Sequence, residues 1–275
     1  MRLASPASIF WPNAIYYGIK TGYNPAFIID SSTRDRLAAE DPRSKEILKP
    51  ILRGRDIQRY RASWAGLWLI ATHNGYGDVP AVSIDEYPAV RRHLDQFYDR
   101  LEKRYDKGKT PYNLRNCAYH AEFSKSKVFW MDMSPRGRFA YSEEEVYCND
   151  KAYFMTGRSL KWLCAILNSH LITWMIGRTA RTTGAGLTQW QKFVMETIPV
   201  PSVPVEQRRP VVERIDRILR LKDTGFEADA TELESQLDRL VYTLYGLTEE
   251  EAELVRDSDP QGRATRTPVG PGWAK

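Results

Sequence analysis

The stretch Ser159-Leu-Lys-Trp-Leu-Cys-Ala-Ile-Leu-Asn-Ser-His-Leu-Ile-Thr-Trp-Met-Ile176 changes the period of the chain. Leu160, Leu163, Leu167, Leu171 and Trp174 recur at helical spacing, so an amphipathic helix is expected here. Just before it, Lys127 to Phe154 alternates β-prone segments (Val128 to Met133, Arg138 to Tyr141, Tyr153 to Met155) with polar turns. A small curved sheet with this helix packed on it makes the fold class α/β (α+β).

Towards the N-terminus, Gly18 to Gly22 reads as a turn feeding a buried strand, Ala26 to Asp30. Two short helical pieces follow, the second over Ser44 to Leu52 and stopped by Gly54. Trp64 to Thr72 is β-prone, and His73 to Pro80 is a polar loop. Val90, Leu94, Phe97 and Leu101 then place one long helix over Tyr87 to Tyr105, which ends where Gly108 and Pro111 forbid continuation.

Towards the C-terminus, Arg178 to Gly186 is polar, small and basic, and is expected to be a mobile loop. The proline-rich stretch Ile198 to Pro204 marks a boundary between residues 1–203 and a helical hairpin, Glu206 to Leu221 and Ala228 to Tyr245. Thr248 and Glu251 fit a capping box opening one more short helix, so the hairpin and tail span 204–257. Residues 258–275 carry no period and are expected to be disordered.

With 275 residues, 42% hydrophobic and 27% charged, the chain can bury a core as one large domain or two small ones. Cys117, Cys148 and Cys164 are too few and too scattered for a disulfide framework, which fits a reducing cytoplasm. No apolar run approaches the roughly 20 residues of a membrane span, so no membrane partner is expected. Residues 231–257 carry eight acidic and two basic side chains, a charge of −6, which leaves +11 elsewhere in a chain whose total is +5. A basic body with an acidic helical end suits a polyanion approached from one side, although solubility alone would also account for it.

Catalytic motifs are not found. Amino-methylation of DNA needs an Asp/Asn/Ser-Pro-Pro-aromatic loop, and the nearest string, Ser134-Pro135-Arg136-Gly137, lacks the second proline and the aromatic. No lysine has Asp or Glu two positions before it, which removes the Asp/Glu-x-Lys triplet of common restriction nucleases. His73, His93, His120 and His170 show no metal spacing, and Lys20-Thr21-Gly22 lacks the glycines of a phosphate-binding P-loop. Glu143-Glu144-Glu145 reads as an exposed acidic turn rather than a metal cluster.

The loops do carry groups that bind DNA, namely Arg and Lys for phosphates and Arg, Asn or Gln for base edges. The candidates form five clusters. Lys20 and Thr21 are followed by Arg53, Arg55 and Arg59, then by Lys107, Lys109, Tyr112, Asn113 and Arg115. Arg136 and Arg138 form another region, and Arg178, Arg181, Thr182, Thr183 and Gln189 the last. For Arg53, Arg55 and Asp56 an internal ion-pair network under a turn is an equal alternative.

Gly18-Ile-Lys-Thr-Gly22, Ala26-Phe-Ile-Ile-Asp30 and Ile51-Leu-Arg-Gly-Arg-Asp-Ile57, in that order, resemble the TaqI-like C-terminal specificity domain. Leu101-Glu-Lys-Arg104, Asn113-Leu-Arg115, Lys127-Val-Phe-Trp130, Asn149 to Phe154, Leu163 to Ser169 and Ile198-Pro-Val-Pro201 continue the series over about residues 15 to 203. Leu240 to Leu247 resembles the helical tail of type IIG restriction enzymes and BREX methyltransferases. The resemblance implies a target-recognition domain for duplex DNA, serving an adenine-specific methyltransferase domain or subunit, in cis or in trans, in the cytoplasm of a prokaryote. It also implies that S-adenosylmethionine and the chemistry belong to that methyltransferase part, outside these 275 residues, and that this chain holds no catalytic site, cofactor or metal. A protein-interaction scaffold in such an assembly is the alternative, and a divergent methyltransferase or nuclease a further one.

Overall fold

The computed structural model describes residues 13–180, 183, 186–225 and 227–257, so the reading of 258–275 lies outside the described residues. In chain order, β1 (Ala14–Tyr17), α1 (Asn24–Phe27), β2 (Ile28–Asp30), α2 (Ser31–Glu40), β3 (Leu48–Leu52) and β4 (Leu67–Ile70) come first. They are followed by α3 (Pro88–Asp95), α4 (Tyr98–Lys103), β5 (Lys127–Met131), β6 (Met133–Ser134), β7 (Phe139–Ser142), β8 (Tyr147–Cys148) and β9 (Ala152–Thr156). The rest comprises α5 (Leu160–Asn168), α6 (His170–Thr179), β10 (Thr188–Gln189), α7 (Lys192–Met195), α8 (Val205–Thr224), α9 (Glu227–Leu244) and α10 (Glu249–Arg256). No helix of the described residues is long and apolar enough to cross a membrane.

A central antiparallel sheet, in spatial order β1-β9-β5-β7, is covered on both faces. Because side chains alternate along a strand, Val128, Trp130, Phe139 and Met155 enter one core while Phe129, Ala140 and Phe154 enter another. The first core is completed by α5, α6 and the C-terminal helices, the second by α1 to α4 and a second sheet ordered β2-β4-β3-β8. This two-sided burial explains why Lys127, Val128, Phe129 and Trp130 are all buried in succession, a pattern ordinary for strands covered on both faces. β6 and β10 form a separate antiparallel ribbon.

Several elements depart from the sequence reading. Leu48 to Leu52, expected as part of a helix, is a strand preceded by a 3-10 turn over Pro42–Glu46. It pairs antiparallel with β4 through Leu48 to Pro50 and parallel with β8 through Ile51 and Leu52, so pairing on both sides overrides the local pattern. Only Ile28 to Asp30 of the expected strand 26–30 is extended, since Ala26 and Phe27 belong to α1. The long helix over 87–105 is broken at Gln96 and Phe97 into α3 and α4. Likewise Ser169, in extended conformation (ψ 152°), divides the helix over 159–176, and its Oγ caps α6 by accepting from the Ile172 N–H at 3.3 Å.

The helical hairpin forms where its spacing places it. Gly225, at φ +82°, ends α8 in the left-handed conformation that glycine adopts without strain. Thr248 and Glu251 make the expected capping box on α10. Val211, Ile215 and Ile218 of α8 and Leu233, Leu237 and Val241 of α9 share one buried cluster with Trp130, Trp162 and Leu167. Each such side chain contributes roughly 1.5–3 kcal/mol on full burial, so the hairpin is held firmly against the sheet.

Two histidines distant in sequence meet in the second core. The rings of His73 and His120 are 4.9 Å apart, Tyr76 stacks on His120 at 4.9 Å, and the Tyr147 hydroxyl lies 3.3 Å from His120 Nδ1. Burial, with repulsion from His73 and Lys49, pushes the His120 pKa down to about 4. The folded state therefore holds His120 neutral while an unfolded chain protonates it near pH 6.5. This stability is complete above pH 6.5 and is lost as pH falls towards 4, by up to about 3 kcal/mol. Thermal denaturation between pH 7.5 and 4.5 is expected to show a smaller loss of Tm for His120→Phe than for the parent chain. An identical acid limb in both would mean that other groups control it.

Candidate nucleic-acid interface

Arg104 builds the first part of the interface. It follows α4, is buried, and lies 4.4 Å over the Phe27 ring. Its Nη1 donates to the carbonyls of Thr21 and Asp106, and its Nη2 to those of Pro111 at 3.0 Å and Asn113 at 2.5 Å. Burial lowers its pKa to about 10, which leaves it charged at neutral pH. One planar guanidinium thus joins the 20–22 turn to the 106–113 loop, a task matched to its fixed fork of donors. Asp106 reinforces the junction by pairing with Lys20 at 2.9 Å and Arg115 at 3.1 Å.

The candidates of this region divide by environment. Lys20, Lys107, Lys109 and Arg115 are exposed. Thr21 and Asn113 are buried, the former donating to Asn24 Oδ1 at 2.6 Å. Asn113 accepts from the Thr110 hydroxyl at 2.7 Å and donates to the His73 and Val82 carbonyls. These two side chains brace the loop rather than project from it. The Tyr112 hydroxyl is likewise held, by Asp95 at 2.5 Å, and it is pushed up to about 12 by burial and by that carboxylate.

The second part begins at the 53–61 turn. Arg53 makes a bidentate pair with Asp56, at 2.7 and 3.0 Å, so the ion-pair alternative describes these two residues. Arg55 is exposed and outside that pair. The turn is tied to the first part by Asn149, whose Oδ1 accepts from the Gly54 N–H at 3.3 Å. On the same residue Gly18 packs so closely that a Cβ there would lie 2.0 Å from the Asn149 carbonyl oxygen. Only glycine permits that approach.

Farther along the turn the arginines reach other elements. Arg59 donates to the Asn168 carbonyl at 2.8 Å and pairs with Glu234 on α9 at 2.7 Å. Arg138, just before β7, donates to Gln58 Oε1 at 3.2 Å, and the Ser134 hydroxyl donates to the Arg136 carbonyl at 2.6 Å. Thr188 and Gln189 pair with Ser134 and Met133, so the β6–β10 ribbon leads into the Arg136 turn. Thr183 accepts from the Leu187 N–H at 3.2 Å, and Arg178 lies 5.0 Å over the Trp174 ring. Of the expected mobile loop, Arg178 and Thr179 belong to α6 instead, while Arg181, Thr182, Gly184 and Ala185 lie outside the described residues.

Contacts through Asp106, Asn149 and Gln58, with the β6–β10 pairing at Ser134, therefore link basic segments that are far apart in sequence. Sequence reasoning missed Arg104, Arg61, Lys222, Asn149 and Gln58. Arg104 sat among the motif residues, but only its four carbonyl partners reveal its task. Lys222 belongs to a hairpin that reads as separate until packing brings it to Arg61. The acidic turn is dispersed, with Glu143 on the Tyr141 hydroxyl at 2.6 Å and Glu145 on Lys49 at 3.0 Å. Among the described residues no group of three His, Cys, Asp or Glu side chains could hold a metal ion.

The family model of the TaqI-like C-terminal specificity domain matches residues 49–200. The type II methyltransferase M.XhoI of Xanthomonas vasicola is 24% identical over 243 residues, covering 86% of this chain and 41% of the relative. The type II methyltransferase M.PaeR7I of Pseudomonas aeruginosa is 24% identical over 242 residues, covering 85% of this chain and 38% of the relative. The chain thus spans about two fifths of the length of these relatives. Among solved structures, the type IIL restriction-modification enzyme MmeI, determined in complex with DNA, shares the fold. Its TM-score is 0.67 at 13% identity, over 90% of this chain and 36% of that one.

If the fork of Arg104 carries the junction, a lysine there keeps the charge but cannot reach four carbonyls. Arg104→Lys is expected to cost about 2–4 kcal/mol in urea unfolding. A midpoint equal to that of the parent chain would refute the clamp.

Proposed function

The chain belongs to the TaqI-like C-terminal specificity domain family of type II restriction-modification methyltransferases, and from that premise we propose that it recognises a target sequence in duplex DNA. The observation that carries the reading is the set of linked basic segments. Exposed Lys20, Arg55, Lys107, Lys109, Arg115 and Arg136 stand on turns whose backbones are fixed by buried groups. Fixed turns cost little to order on binding, and for Lys20 and Arg115 a phosphate competes with the Asp106 carboxylate. Base readout falls to the Arg and Gln side chains beside them, Gln189 included. Arg178 and Thr183 are counted among the same candidates, as are Arg181 and Thr182, which lie outside the described residues.

In this reading the methyl transfer, adenine-specific and supplied with S-adenosylmethionine, is carried out by a methyltransferase domain or subunit in the cytoplasm of a prokaryote. The present chain contributes specificity and no catalysis. Duplex DNA and that methyltransferase are its two partners.

Fluorescence anisotropy of the chain with labelled duplexes over 50–300 mM salt tests this. Affinity should fall steeply with salt, and the double variant Lys107→Gln/Lys109→Gln should flatten the log–log slope by about 2. Binding that is undetectable at 50 mM salt, or indifferent to salt, would instead favour an interaction scaffold. Methylation by the isolated chain would favour an enzyme.

A further inference from the structure

A cleft of about 410 Å³ lies between the basic body and the helical hairpin. One wall is the 58–63 turn with Arg136 and Arg138, and the other is Lys222 at the end of α8 with Thr231 and Glu234 of α9. Five cations thus line it against one carboxylate, that of Glu234. That carboxylate is already engaged on both oxygens, by Arg59 at 2.7 Å and Lys222 at 2.9 Å. Arg61 donates to the Lys222 carbonyl at 2.7 Å, which adds a cation without adding an anion.

Arg136 is the group left over. Among the described residues no carboxylate lies within ion-pair distance of its guanidinium, and its neighbours Arg59 and Arg138 repel it. Burial and that repulsion lower its pKa against the opposing pull of Glu234. Keeping like charges together in a half-enclosed site opposes folding unless an anion enters. The backbone beneath is strained as well. Tyr60, fully buried, stands at φ +68°, a conformation rare for a bulky side chain, and is held there by its N–H on the Phe139 carbonyl at 2.8 Å. Its two neighbours, Arg59 and Arg61, are the arginines that reach the hairpin. Strain of this kind persists where surrounding structure imposes it, commonly at ligand sites.

We propose that this cleft seats one phosphate group between the recognition body and the helical hairpin, with Arg136 and Arg138 as its principal donors and the backbone of bound duplex DNA as its source. The assignment to DNA rests on the functional reading above, whereas the anion site itself does not. A phosphate here would neutralise the excess charge and bridge the two walls, so that DNA binding also tightens the hairpin on the body.

Two measurements on the full chain decide it, with Arg136→Gln as the variant. In differential scanning fluorimetry, pyrophosphate should raise the Tm of the parent chain by about 2–4 °C relative to chloride of equal ionic strength. Arg136→Gln should lose that response and, without anion, melt at the parent temperature or above, because a repelling cation has gone. A lower anion-free Tm would mark Arg136 as structural and overturn the site, as would an absent pyrophosphate response in the parent. In anisotropy titrations Arg136→Gln should weaken duplex binding roughly tenfold and flatten the salt slope by about 1. A lost pyrophosphate response with unchanged DNA affinity would overturn the assignment to DNA and leave a free anion as the occupant. Should the parent chain bind no duplex at all, the broader functional reading fails and the fluorimetry alone judges the cleft.

Discussion

The Arg104 guanidinium carries its positive charge into the second core and sets it against four backbone carbonyls. Four carbonyl dipoles, the face of Phe27 and the nearby Asp106 charge compensate the desolvation, and the group stays ionised. Because the carbonyls come from the 20–22 turn and the 106–113 loop, neither can settle without the other. The placement of the cations on these segments depends on this one buried charge, with Asp106 and Asn74 holding Lys20, Arg115 and the Lys109 backbone beside it. Polar loops that would otherwise be mobile become fixed mounts for Lys20, Lys107, Lys109 and Arg115.

A second constraint acts through the central sheet. With Phe129 and Phe154 on one face and Val128, Trp130 and Met155 on the other, one run of strands serves two cores. A change of register by one residue would exchange the two sets, so the sheet fixes the N-terminal layers and the C-terminal helices together. The loops between its strands gain their positions from both sides. The Arg136 turn between β6 and β7 is the clearest case, since it lies against the 58–61 turn of one half and the hairpin of the other.

The mixed class, the amphipathic segment at 160–176, the hairpin and the capping box at Thr248 were legible because each is a local pattern with a local cause. Leu48 to Leu52 was misread because its extended state comes from pairing with β4 and β8, neither of which is near in sequence. Ser169 was missed as a helix break because an apolar stripe runs across it unchanged, while its hydroxyl serves a cap. At the site, residue type found most of the cations but not their tasks. Arg53 and Arg59 carry the same charge as Arg55 and Lys109, yet structural partners hold them, and partners become visible only in three dimensions.

Charge segregation along the chain takes on a different meaning once the hairpin is folded. The acidic stretch 231–257 read as a tail held away from a polyanion, but Glu234 and Asp238 point into the body, onto Arg59, Lys222 and the N–H of His170. Burial raises the Asp238 pKa, which that N–H and Arg59 oppose. These two carboxylates stabilise the docked hairpin from inside, whereas Glu249, Glu250 and Glu253 remain exposed. Within the cleft beside Arg136 the one carboxylate, Glu234, is thus spent on holding the hairpin in place, and it falls short of the cations gathered there. A cleft between two parts of one chain that closes with unbalanced positive charge is poised for an external anion.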